Sequence, residues 1–472
     1  MQTNKSFEIA LFFGYANAKQ RLGIGCSGLH TTQTKGLLVS VLILAMMFLG
    51  AFSAQAQNAY YIRSGANGTN NGSDWTNAYT SLPSTLVRGS TYYIADGSYS
   101  DVSINLSGTS IVTIKKCPSS SLKVDSCQSV AGWNDAYGDD QAIFSGSFWL
   151  NSGYVTIDGQ TEYGIKIIRS ALSQDTAAIR CAAPSCPNLT VQYVEMQGPG
   201  GATAYNYLYN SRGVDTELTT EWNDNMLISH CKIHGFSTGI KIADSLNSTI
   251  EYCDMYDMIS SNANIHQDGI YITGTCGGLT IRHNKMHNYS PEGIYFSGPY
   301  EGTYSGVYIY GNTFYNNLNS VPLNQYSRGV ETDLHKYNYG KISNLKIYNN
   351  TFVNLWATFR ITSSPDDVGP GSEFRNNLMY NAGGVSTDSD LVASHNTIAS
   401  SNPFVDLSRF NLRLSSPTEA GYALSSPYNT DMDGNTRGSD GTWDRGAYEF
   451  GGSSPSPSVP PSPPTQLRII SQ

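Results

Sequence analysis

Between residues 58 and 450, apolar residues recur in short alternating runs set off by Gly, Asn, Ser and Asp. A period of two is the mark of a half-buried strand. No stretch there holds a helical period for more than two turns; Ser81–Val87 is expected to form one short N-terminal cap.

The runs also repeat. Thr190-Val-Gln-Tyr-Val-Glu-Met196, Leu227-Ile-Ser-His-Cys-Lys-Ile233, Thr249-Ile-Glu-Tyr-Cys-Asp-Met255 and Thr280-Ile-Arg-His-Asn-Lys-Met286 align without gaps. So do Tyr308-Ile-Tyr-Gly-Asn-Thr-Phe314, Lys346-Ile-Tyr-Asn-Asn-Thr-Phe352, Glu373-Phe-Arg-Asn-Asn-Leu-Met379 and Val392-Ala-Ser-His-Asn-Thr-Ile398. One slot holds Val194, Cys231, Cys253, Asn284, Asn312, Asn350, Asn377 and Asn396, and the residue two later is apolar every time. A second ladder reads Gly239-Ile-Lys-Ile242, Gly269-Ile-Tyr-Ile272, Gly293-Ile-Tyr-Phe296 and Gly329-Val-Glu-Thr332, continued by Thr358-Phe-Arg-Ile361. Slot spacings run from 19 to 38 residues, so loops are inserted in some copies and not in others.

Repeats of this length mean a solenoid. One strand–turn–strand coil cannot bury its apolar face, but stacked coils can, with like side chains set one above another. A turn Asn then bonds backbone groups and the next Asn amide. The fold class is therefore all-β, a single parallel β-helix over residues 57–450. Cys231 and Cys253 share a slot and should stack inward, as a disulfide or as small apolar fillers.

The ends differ. Residues 36–56 are an apolar run after Lys35, closing on Ala54-Gln55-Ala56. This reads as a secretory signal over residues 1–56, with no stable membrane insertion after cleavage. Residues 451–472 form a Pro/Ser-rich linker or tail. Export allows disulfides. Seven of the eight cysteines follow the signal, and Cys117 with Cys127 and Cys181 with Cys186 are the expected pairs.

Only 14% of residues are charged, while Gly (46) and Tyr (32) are abundant, which suits a turn-rich extracellular β protein. The net charge of −9 excludes a general basic field for nucleic acid. No GxSxG, Walker A loop or dinucleotide fingerprint occurs, which excludes nucleophile-elbow hydrolases and nucleotide enzymes.

The ladders resemble the right-handed parallel β-helix proteins of the pectate-lyase-like superfamily. Tyr60-Tyr-Ile-Arg-Ser-Gly-Ala-Asn-Gly, Trp75 and Gly89-Ser-Thr-Tyr-Tyr-Ile-Ala-Asp-Gly-Ser-Tyr99 look like the opening coil of that group. Asp431-Met-Asp-Gly-Asn-Thr-Arg437 with Asp444-Arg-Gly-Ala-Tyr-Glu449 is similar to the choice-of-anchor-Q end of secreted β-helix proteins. The resemblance implies the fold and leaves the activity open, since this fold hosts many functions. The calcium motif and Arg signature of pectate lyases and the polygalacturonase signature are missing from the chain.

Candidate chemistry gathers at Asn264-Ile-His-Gln-Asp-Gly-Ile-Tyr-Ile272, which resembles segments of secreted β-helix proteins acting on polysaccharides. The Gly ladder predicts one column of Thr238, Asp268, Glu292 and Arg328. Two carboxylates one coil apart suit a glycosidase pair, or a calcium ion held by Asp268 and Glu292. They equally suit a structural acid ladder neutralised by Arg328. Outward positions add Lys285, His287, Tyr256, Tyr271, Tyr295 and Glu331, read as one strip with His335 nearby. In a lyase, a cation or Arg328 would neutralise a uronate, and His266, Lys285 or a Tyr would take the C5 proton. In a hydrolase, Asp268 and Glu292 would share the acid and base or nucleophile roles. The expected partner is a polysaccharide, an acidic one, met by a secreted or cell-surface monomer. The competing expectation is a non-catalytic adhesive or carbohydrate-binding β-helix.

Overall fold

The computed structural model describes residues 58–452 except 162, 171–174, 183, 201–209, 259–266, 298–302, 317–326, 335–339 and 363–366. The expected signal, most of the expected tail, His266 and His335 lie outside the described residues.

Every ladder pairing within the coils is parallel, and each strand pairs with its counterpart in the coils before and after. Each full coil has three strands, so the coils build three faces of one parallel β-helix. The first face carries Phe148–Leu150, Thr176–Ala182, Ser211–Leu218, Thr238–Leu246, the front of Ile270–Arg282, Glu292–Phe296, Arg328–Thr332 and Ala357–Ile361. The second face runs from Ala59–Ile62 to Leu391–Ser394, and the third from Gly97–Tyr99 to Thr397–Ala399.

The core is a stack of aligned apolar columns. On the second face Ile114, Ile157, Val191, Ile228, Ile250, Ile281, Ile309, Ile347 and Phe374 succeed one another in register, all buried. Each such side chain contributes about 1.5–3 kcal/mol relative to exposure. Met196, Ile233, Met255, Met286, Phe314, Phe352 and Met379 do the same on the third face.

The Asn slot sits in the turn between the second and third faces. The side-chain amide of Asn284 donates to Oδ1 of Asn312 at 3.0 Å, Asn312 to Asn350 at 3.0 Å, Asn350 to Asn377 at 3.1 Å and Asn377 to Asn396 at 3.0 Å. The residue before the slot is left-handed throughout, with φ of 53° at Tyr193, 52° at His230, 51° at Tyr252 and 55° at His283. Cys231 and Cys253 are buried and unbridged, so the disulfide alternative falls. Cys253 Sγ lies 3.7 Å from the carbonyl of Ile228, the contact that Asn284 makes with Ile250 at 2.9 Å. Cysteine is thus a weak stand-in for the ladder amide. The two expected disulfides, Cys117–Cys127 and Cys181–Cys186, are present.

The Gly column has a steric cause. A Cβ on Gly239 would lie 2.5 Å from the carbonyl of Gly269, and one on Gly269 2.6 Å from that of Gly293. The expected helix at Ser81–Val87 does not form. Pro83 removes a donor and disfavours a helical Leu82, and the Val87 amide donates instead to the Tyr92 hydroxyl at 2.8 Å.

After the last coil, Phe404–Asp406 pairs antiparallel with Asn411–Leu414. The closing segment packs Phe404, Leu412, Leu414, Met432 and Tyr448 on Tyr315, Val353 and Leu378 of the third face. The Asn349 amide donates to the Tyr428 carbonyl at 3.1 Å, and Asn376 to that of Tyr422 at 2.8 Å. This segment covers the third face and its Asn turn at the final coils. In these contacts it does not touch the first face.

Candidate functional site

Chain length between strands points to the first face. From Gln192 to Val194 onward, the turn joining the second and third faces is one or two residues in every copy of the ladder. Residues 117–141 are a long insertion between the second and third faces in an early coil, but from Gln192 onward the long insertions fall before the first face (residues 198–210, 259–269 and 316–327) or after it (219–226, 297–303, 333–341 and 362–371). Loops on a rigid scaffold are where binding and catalysis concentrate.

Two outward columns run up this face. The first is Arg212, Thr238, Asp268, Glu292 and Arg328, as the Gly ladder predicts. The second, three residues further along each strand, is Arg180, Asp215, Lys241, Tyr271, Tyr295, Glu331 and Arg360.

The charges are closely paired. Arg212 donates to Asp215 at 2.8 Å and lies 3.2 Å from Glu217; Lys241 Nζ reaches Glu217 at 2.5 Å. Lys241 also stands 4.7 Å from the centroid of the Tyr271 ring, a cation–π contact. The Tyr271 and Tyr295 rings stack at 5.5 Å, and the Tyr295 hydroxyl donates to Asp333 at 3.2 Å. One guanidinium nitrogen of Arg328 bridges Glu292 and Glu331, each at 2.6 Å.

Burial sets the protonation of these groups. Lys241 is 5% exposed. Loss of solvent and the neighbouring Arg212 charge hold its ammonium below the usual lysine range, against the pull of Glu217 and Asp215. Asp268 and Glu292 are hydrogen-bonded to each other, and burial pushes both upward, Asp268 to about 7. At neutral pH the pair holds a proton between them, because two adjacent buried carboxylates cannot both ionise.

That contact answers two expectations. Carboxyl groups in hydrogen-bond contact leave no gap for a sugar or a water, whereas retaining glycosidases need about 5–5.5 Å and inverting ones about 6.5–9.5 Å. The described donors also do not fit calcium at Asp268 and Glu292. The ion takes about six to eight oxygens, while these two carboxyls share a proton and Arg328 already holds Glu292.

The expected single strip is two. Tyr271, Tyr295, Glu331 and Arg328 are on the first face. Lys285, His287 and Tyr256 are on the third, where Lys285 aligns with Asp254 and Thr313. Lys285 opens its strand at the Asn turn, four residues and about 13 Å from the corner that leads to Glu292. It does not join the acid pair. His287 lies between Tyr256 at 4.9 Å and Tyr315 at 4.8 Å, and Tyr256 between His234 at 4.9 Å and His287. Their faces are taken by each other, and Phe410 caps the stack on Tyr315 at 4.4 Å. Sugar rings therefore cannot stack on them.

Sequence reasoning missed Arg212, Asp215 and Glu217. The signal was there, since Gly213-Val-Asp-Thr216 copies Gly329-Val-Glu-Thr332 and Gly213 aligns with Gly239.

The family described as "Right handed beta helix region" matches residues 143–298. No curated protein matches the chain in sequence. Among solved structures, the pectate lyase Pel9A is 14% identical with a TM-score of 0.51, over 84% of this chain and 97% of that one. The PL6 family polysaccharide lyase Pedsa3628 from Pseudopedobacter saltans is 13% identical with a TM-score of 0.39, over 73% and 95%. The family match and the likeness to Pel9A establish the fold, a right-handed parallel β-helix.

Proposed function

We propose that the protein is a secreted enzyme that cleaves an acidic polysaccharide by β-elimination on the first face, with Lys241 as the base. The observation that carries this reading is the buried Lys241 amine, seated on the Tyr271 ring beside Arg212 and held below its ordinary pKa. A base must be partly neutral to act, and burial beside Arg212 moves Lys241 in that direction. Guanidinium groups bind carboxylates in a fixed fork, so Arg212 is the group to hold and neutralise the uronate carboxylate and acidify C5–H. Lys241 takes that proton, the electron pair forms the C4–C5 double bond, and the C4–O4 bond breaks. The leaving oxygen takes a proton from the Tyr271 hydroxyl. The pectate lyase of like fold is in keeping with a polymer substrate. The Ala54-Gln55-Ala56 motif and two disulfides support export.

A second reading, a non-catalytic carbohydrate-binding β-helix, is favoured by one observation. Each of Arg212, Lys241 and Arg328 already has a carboxylate partner, as in a structural charge ladder. The deciding experiment is incubation with polygalacturonate, alginate and glycosaminoglycans, following absorbance of new unsaturated ends. Absorbance growth that Lys241→Arg abolishes supports the lyase; silence on all of them removes it.

A further inference from the structure

Trp149 puts a large apolar ring at the outward position of its strand. Phe148 and Leu150 are fully buried, while the indole between them is 40% exposed. It stands in the same outward column as the proposed base: Trp149 aligns with Arg180, Arg180 with Asp215, and Asp215 with Lys241. Three coils, about 14 Å, separate the two. The Arg180 guanidinium lies 5.2 Å from the indole centroid and 3.3 Å from Asp215, which ties this end of the column to the charge network around Lys241.

Beside the indole is a cleft of about 350 Å³, bordered by Asp101, Arg169, Asp175 and Arg180. That volume is in the range of small-molecule sites. Its polar rim is held in place. Arg169 Nε donates to Thr176 at 2.7 Å, Asp101 accepts from the Ser147 backbone N–H at 2.5 Å, and Asp175 accepts from the Asn210 backbone N–H at 3.0 Å. An exposed indole beside carboxylates and guanidinium groups matches the chemistry of a pyranose, which has an apolar face and a rim of hydroxyls.

We infer that this cleft is a distal subsite that binds a further sugar unit of the polysaccharide, with Trp149 as its platform. The chain then runs along the helix axis, from Trp149 past Arg180 and Asp215 to Lys241. This inference rests on the first face being the polymer site proposed above.

The test is native affinity electrophoresis in gels holding polygalacturonate, alginate or xylan. Wild type, Lys241→Arg, Trp149→Ala and Trp149→Tyr are compared, with thermal melting to show that each is folded. The expected result is retardation of wild type and Lys241→Arg by at least one polymer. Trp149→Ala should bind about three- to tenfold more weakly, with Trp149→Tyr in between. Trp149→Ala retarded like wild type overturns the subsite, and so does free migration of wild type through every gel. Retardation lost in Trp149→Ala but without cleavage of any polymer overturns the lyase reading and supports the subsite.

Discussion

Asp268 and Glu292 stand one coil apart with their carboxyl groups hydrogen-bonded, both carried above the usual carboxylate range by burial. The folded chain therefore holds a proton that the unfolded chain releases near pH 4. Wherever the folded state binds more protons, stability falls as pH rises. The pair should cost stability progressively from about pH 4 up through the raised values, near 7 for Asp268. Asp268→Asn keeps the hydrogen bond without the proton, so its melting temperature should decline less than that of wild type between pH 5 and 8. The difference should be a few degrees by calorimetry. Parallel pH curves for the two proteins would refute a shared proton.

Glu195 behaves in the opposite sense. It pairs with Lys166 and His234, each at 3.0 Å, and accepts from Gln141 at 3.2 Å. Desolvation opposes its charge, but these partners outweigh it and hold the carboxyl well below the ordinary range. Its stabilisation is present above the unfolded value near pH 4 and is lost as pH falls through the folded one. Glu195→Gln should destabilise by about 2 kcal/mol at pH 7 and much less at pH 3, measured by urea unfolding. An equal loss at both pH values would show that packing, not charge, is what Glu195 supplies.

The ladder predicts an order among substitutions at one slot. The Asn350 amide donates to the Ile309 carbonyl at 3.0 Å and to Asn377, and its oxygen accepts from Asn312. Asn350→Ala strands buried polar groups on both neighbouring coils and should cost about 3 kcal/mol or more. Cys253→Ala removes only a weak thiol contact and a small volume, about 1 kcal/mol. Equilibrium denaturation of the two variants checks the order, and a reversed order would sink the account of the slot.

These residues also show what could be read from the chain alone. Stacking forces like residues into like places, so the Asn slot, the Gly column and the sequence Thr238, Asp268, Glu292, Arg328 are legible in the chain alone. Alternation tells inward from outward but not which of three faces a strand occupies. Lys285 and Tyr271 are both outward, yet the corner at Ser290-Pro291 puts a change of face between Lys285 and the acid pair. The hydrogen bond between Asp268 and Glu292 was likewise illegible, because coil spacing fixes backbones at about 4.8 Å and leaves the side chains free to meet or part. Arg212 and Asp215 were hidden for another reason: a 37-residue gap between Val194 and Cys231 obscured the coil that carries them.

Activity should therefore follow Lys241 and not Lys285. Lys241→Arg keeps a cation beside Glu217 and on the Tyr271 ring, but a guanidinium does not titrate near neutrality. It should fold normally and lose about 10²–10⁴ in rate. Lys285→Ala, exposed and aligned with Asp254, should change the rate less than about twofold. The pH profile gives a second readout. A neutral amine is the active form, so the rate should climb with pH and level off below the ordinary lysine value of about 10.4. Initial rates of unsaturated-end formation between pH 6 and 10.5 measure it. A rate that instead falls across neutrality would remove Lys241 from the mechanism, and one that Lys285→Ala abolishes would place the base on the third face.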